Sequence, residues 1–202
     1  TTRYDPPGID EKGSWFPNRT WDLLADGTLV VAPRRDEYRL EWIAPAGETL
    51  RVVERPFTPH VRSAAERQER LDGMRMWVGD REVEAKKTIL DTEPAIHALQ
   101  VQDDGTIWVR SCYAERGLPE GVSIRYDVFD ADGDFLREVR IRHRVDRDRD
   151  YWQLLRDGSF LWYRNGRGAL DAMLADMEAA DEDVTGPGDD EFLTVVRLRR
   201  AP

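Results

Sequence analysis

A seven-residue segment that comes back later in the chain limits the fold more than any other feature. WDLLADG at 21–27 returns as WQLLRDG at 152–158, with five of seven positions identical. Self-similarity of this kind marks a repeat architecture, and it has to be recognised before single elements are assigned. A third copy, ALQVQDDG at 98–105, keeps the apolar-polar-apolar approach and the Asp-Gly pair. Each copy leads into β-formers: TLVVA, TIWVR and SFLWY. Asp26-Gly27, Asp104-Gly105 and Asp157-Gly158 predict two-residue hairpin turns, where positive φ is required and glycine supplies it at little cost.

A second element also repeats. YRLEWIAPAGETLRVV at 38–53 aligns without a gap on IRYDVFDADGDFLREV at 124–139. Tyr38, Leu40 and Trp42 alternate with Arg39 and Glu41, and Ile124, Tyr126 and Val128 alternate with Arg125 and Asp127, the period of two that marks a strand. Gly47 and Gly133 fall in the same turn. Joined, the two elements predict a four-stranded antiparallel meander: strand A ends at the Asp-Gly, B follows it, C carries the alternation and D follows the second turn. Such a unit is a propeller blade.

The fold expected is therefore all-β, made of about three such meanders with the third incomplete, and with short helical insertions. Blade one covers about 20–56, a helical crossover 57–94, blade two 95–143 and blade three 150–200, without its strand D. Ile107 and Val109 flank Trp108, so this B strand is apolar on both sides, as a sheet covered on each face should be. Trp108 and Trp162 are read as core between blades.

On these repeats, and on the closing strand VVRLRR, the chain from about 15 to 200 resembles the six-bladed β-propellers of the NHL-like group, many of them bacterial. In that group a sheet built from both chain ends usually closes the ring. The resemblance therefore implies a C-terminal half whose first blades are missing, and an extracytoplasmic bacterial setting.

Bulk properties narrow the partners. With 40 acidic against 30 basic residues the formal charge is -10, which disfavours nucleic acid. There is no apolar run long enough to cross a bilayer, and the start, TTRYDPPGID, lacks the regions of a signal peptide. The single cysteine, Cys112, rules out an internal disulfide and reads as a half-buried structural thiol. Two exposed flanks of a three-blade stack would need covering, so the expected partners are an unknown small molecule or protein, together with a second copy or missing N-terminal blades.

In a meander the A–B and C–D turns share one edge, and the long segments gather at the other: 56–94, SCYAERGLPEG at 111–121, 143–150 and 165–190. Function belongs on that loop edge. Ser63 followed by Glu66 is a capping-box signature for a helix ending near Gly73. Leu170, Met173, Leu174 and Met177 predict a second helix over 169–180. All three histidines, His60, His97 and His143, fall at or beside crossovers, although none has the short spacing of a zinc motif. DADGD at 130–134 superficially looks like a calcium loop, but position 12 is Ile141, where an EF-hand needs glutamate. RHRVDRDRD at 142–150 reads as a solvated crossover, or else as arginines gripping an anionic group.

Arg34, Arg35, His97, Tyr113, Arg116, His143, Arg147 and Arg164 form the candidate ligand surface, for a polar, anionic or carbohydrate ligand. No catalytic set, metal ligand group or cofactor motif emerges. The sequence therefore points to a binding or assembly module working through its loop face, with a hydrolase-like enzyme holding a metal or a His/carboxylate site at the channel mouth as the alternative.

Overall fold

A computed structural model describes residues 8–12, 19–143, 145–146, 149–166 and 194–198. The strands are β1 (Gly8–Asp10), β2 (Trp21–Leu23), β3 (Leu29–Val31), β4 (Arg39–Ile43) and β5 (Thr49–Glu54). Helix α1 (Ala64–Gly73) follows, then β6 (Met76–Val78), β7 (Arg81–Val83) and β8 (Lys86–Thr88). The chain continues with β9 (Ile96–Val101), β10 (Ile107–Ser111), β11 (Val122–Phe129), β12 (Phe135–Arg142), β13 (Tyr151–Leu154), β14 (Phe160–Arg164) and β15 (Thr194–Leu198). No described helix is long and apolar enough to cross a membrane.

The fold is all-β with a short helical insertion, as expected. β2-β3-β4-β5 and β9-β10-β11-β12 are four-stranded antiparallel meanders, and β13-β14-β15 is a three-stranded sheet whose last strand stands where strand C belongs. The crossover carries more order than its helix. β6 and β7 form a hairpin, and β8 pairs in parallel with β1. The Gly79-Asp80 pair between β6 and β7 is a turn signal, and it was legible.

The turns differ from the expected type. All five repeat turns share one pattern, in which the glycine N–H donates to the carbonyl three residues back: Gly27 to Leu24, Gly47 to Ala44, Gly105 to Gln102, Gly133 to Asp130 and Gly158 to Leu155. In each, that carbonyl-bearing residue donates its own N–H to the residue after the glycine. Only the glycine has positive φ, with values from 74° to 91°, and the preceding aspartates do not. These are type I turns closed by a left-handed glycine, not two-residue turns, which would need positive φ at two successive positions. The aspartate acts through its side chain instead. Asp26, Asp104 and Asp157 accept from the backbone N–H of Thr28, Thr106 and Ser159, fixing the turn locally.

The meanders stack face to face. Val30, Tyr38, Leu40 and Trp42 of the first pack against Leu99, Val101, Ile107, Val109 and Phe129 of the second. Trp108, Ile124, Tyr126 and Val128 of the second pack against Leu154 and Phe160 of the third, with Trp152 and Leu198 beside them. Trp108 is therefore core, as read from sequence, whereas Trp162 is only half-buried. Polar contacts set the register of the stack. Trp42 Nε1 donates to the Ala131 carbonyl at 2.8 Å, and Tyr38 OH donates to Asp127 Oδ2 at 2.7 Å. Asp22 accepts from Val101 N at 2.9 Å and from Arg156 at 2.8 Å, so one carboxylate touches all three sheets.

Candidate functional site

The site begins at a helix end. Ser63 caps α1: its Oγ accepts from Glu66 N, and Glu66 reaches back to accept from Ser63 N at 2.7 Å. This is the capping box read from sequence, and it fixes the Glu66 carboxylate in space. His60 Nε2 lies 3.0 Å from Glu66 Oε1. A second segment is tied alongside, because Glu93 N donates to the His60 carbonyl. His97, four residues further on, brings Nε2 to 3.5 Å from Glu93 Oε2.

Arg116, from the loop after β10, completes the group. Its guanidinium donates to both Glu93 oxygens at 2.8 and 2.9 Å and to Glu66 Oε1 at 2.9 Å. A further N–H of the same side chain donates to the Cys112 carbonyl. Tyr113 closes the flank, with its OH donating to the Thr58 carbonyl and its ring edge-on to His60 at 6.2 Å. One donor atom each from His60, Glu66 and Glu93 lies within 4.8 Å of the others, and all three residues are half-buried.

Both carboxylates are held ionised. The Ser63 backbone N–H is the main cause at Glu66, followed by the Arg116 hydrogen bond, and together they hold it at about 2. At Glu93 burial pushes the pKa upward, but hydrogen bonds from His97 and Arg116 and their charges override it, leaving it at about 2. Neither glutamate can serve as a proton donor near neutral pH. Cys112 is fully buried, deeper than its sequence reading, and burial pushes its thiol up, which disfavours the reactive thiolate.

Behind this group sits a buried ionic knot. Glu11 accepts two bonds from Arg62 at 2.8 and 2.9 Å, one from Leu90 N and one from Arg70, and Arg35 lies 3.7 Å away. Burial raises the Glu11 pKa, but the Arg62 and Leu90 hydrogen bonds and the nearby charges hold it at about 2. Arg35 is further committed to Asp36 and to the Thr92 carbonyl.

Of the predicted site residues, His97, Tyr113 and Arg116 come together, and Arg35 stands one layer behind, tied to carboxylates rather than open to an anion. Arg34 and Arg164 are exposed. His143 lies apart, its ring edge-on to Trp162 at 3.9 Å between the second and third sheets. Arg147 and the helix expected over 169–180 lie outside the described residues. The crossover reading of 142–150 needs one amendment: Asp150 is buried, accepting from Asn165 N and Trp162 Nε1, so it is structural rather than solvated.

Sequence reasoning missed Glu11, Glu66's second role and Glu93. Glu66 was visible only as a cap, while Glu11 and Glu93 carry no local signal, because their partners lie far away in sequence. A polar cleft of about 250 Å³ adjoins the group, lined by Arg55, Phe57, Tyr113, Arg125, Asp127 and Glu138. Larger hollows of about 560 and 520 Å³ lie between the second and third sheets. Two arginines of the first are already paired, Arg156 with Asp22 and Arg197 with Asp157. No protein-family model, no curated protein and no solved structure matches this chain.

Proposed function

We propose that this chain is a non-enzymatic binding module built on propeller-type blades, and that its loop side, between the first and second sheets, takes up a divalent cation of the zinc class. The observation that carries the reading is the convergence of His60, Glu66 and Glu93 donor atoms within 4.8 Å, with His97 Nε2 a further 3.5 Å from Glu93. Imidazole and carboxylate are the donors such ions prefer. The five near-identical turns occupy the opposite edge and vary too little to recognise anything, which fits the division of labour between scaffold and loops.

Arg116 defines the competition. Its guanidinium neutralises the two ionised glutamates, and an incoming dication would replace it there. The ionised form of both carboxylates suits them as ligands and leaves neither as a general acid. The second reading, hydrolysis by water activated on the bound ion, rests on the same donor cluster.

Thermal melting with zinc chloride, then with EDTA, tests the proposal. Zinc should raise the Tm, EDTA should reverse the rise, His60→Ala should abolish it, and Arg116→Ala should strengthen it. A melting curve indifferent to zinc in both the native chain and Arg116→Ala overturns the cation site.

A further inference from the structure

We infer that the outward face of the first sheet docks on the outward face of the third sheet in a second copy of this chain. The argument comes from the repeat. β2 and β3 pair Leu23 with Leu29 and Trp21 with Val31, and β4 brings Ile43 opposite Leu29, so these five side chains share one face. The matching positions around the second turn are Val101, Ile107, Leu99, Val109 and Phe129. In the third sheet they are Leu154, Phe160, Trp152, Trp162 and Leu198.

Those matches are buried twice within the chain. Leu99 and Val101 are 5% and 3% exposed against the first sheet, and Leu154 is 8% exposed against the second. Their equivalents Trp21 and Leu23 are each 47% exposed, and on the same face Val52, opposite Glu41, is 40% exposed. Apolar side chains exposed together on one face are costly to leave in water. Here they form the receiving half of an interface that the chain already builds twice.

The inserting half is also repeated. The first sheet offers Val30, Leu40 and Trp42 to the second, and the second offers Trp108, Tyr126 and Val128 to the third. The corresponding third-sheet residues are Leu161, Val195 and Arg197, and Val195 is 48% exposed. One chain thus carries a receiving face on its first sheet and an inserting face on its third. Two copies satisfy both by a head-to-tail contact, which closes when the rotation allows. The inference rests on the stacked-blade reading above. The two can fail separately, because the variants below leave His60, Glu66 and Glu93 untouched and the zinc test can be run on them.

Sedimentation equilibrium of the full chain at micromolar concentration should give twice the chain mass. Leu23→Arg and Val195→Glu should each lose the closed dimer while keeping the far-ultraviolet circular dichroism of the native chain. Mixing the two variants should restore a dimer, because each supplies the face the other lacks. A native chain sedimenting as a monomer overturns the proposal. So does a dimer broken by Leu23→Arg and untouched by Val195→Glu, which would mean that like faces meet. A dimer insensitive to both substitutions overturns it equally. Should either variant unfold, Trp21→Ser and Leu161→Ser carry the same comparison with a smaller change.

Discussion

Gly133→Ala should be far more damaging than the same change at Gly105, although both glycines close turns of the same type in the second sheet, Gly105 between β9 and β10 and Gly133 between β11 and β12. Their φ values are +86° and +80°, so alanine at either position pays the left-handed conformational penalty of about 1–2 kcal/mol. A methyl group at Gly105 meets nothing within 4 Å. At Gly133 it would stand 2.9 and 3.0 Å from two ring carbons of Trp42 and 3.1 Å from Arg51 Nε. Trp42 cannot swing aside, being 3% exposed and hydrogen-bonded through Nε1 to the Ala131 carbonyl. Forcing atoms into a packed site adds about 1–3 kcal/mol, and for a chain of this size each kcal/mol lowers Tm by about 2–4 °C. Urea unfolding of the two variants, and of both in a Trp42→Ala background, reads the difference directly. In that background the excess cost of Gly133→Ala should vanish, as coupling between touching residues requires. Equal losses for Gly133→Ala and Gly105→Ala in the native background would refute the packing argument.

Glu11→Gln should cost about 3–5 kcal/mol in urea unfolding, since it leaves the buried Arg62 without its counter-charge. Acid should destabilise the fold over a defined window. Glu11, Glu66 and Glu93 have folded-state values lowered to about 2 from the ordinary 4.5, so their contribution is complete above pH 4.5 and is lost as pH falls toward 2. Urea midpoints at pH 6 and pH 3 check this, and Glu93→Gln should flatten the difference.

What was legible in the sequence was local. The strand alternation of Leu40 and Trp42, the glycine of each turn and the Ser63–Glu66 cap all act over a few residues, so pattern alone placed them. The turn geometry differs from the expectation because an Asp-Gly pair serves two hairpin types. Here the aspartate spends its carboxylate on the next backbone N–H but one, and keeps negative φ. The site was half legible. Topology alone assigns His97, Tyr113 and Arg116 to the loop edge, where they come together, but it gives no sign of the acidic partners that organise them. Glu11 meets Arg62 from 51 residues away, and Glu93 meets Arg116 from 23. No short-range pattern records such meetings. Arg35 and Arg116, read as ligands for an anion, are committed to internal carboxylates, a distinction that only three-dimensional pairing makes.

The carboxylate of Asp22 bears on how the chain folds. It joins residues 79 and 134 positions apart, so the hairpin that opens the first sheet is not fully anchored until the turn of the third has arrived. Stacked repeats often melt one unit at a time, because each touches only its neighbours. A bond from the first unit directly to the third adds coupling beyond nearest neighbours, and so favours loss of the described sheets as one cooperative block.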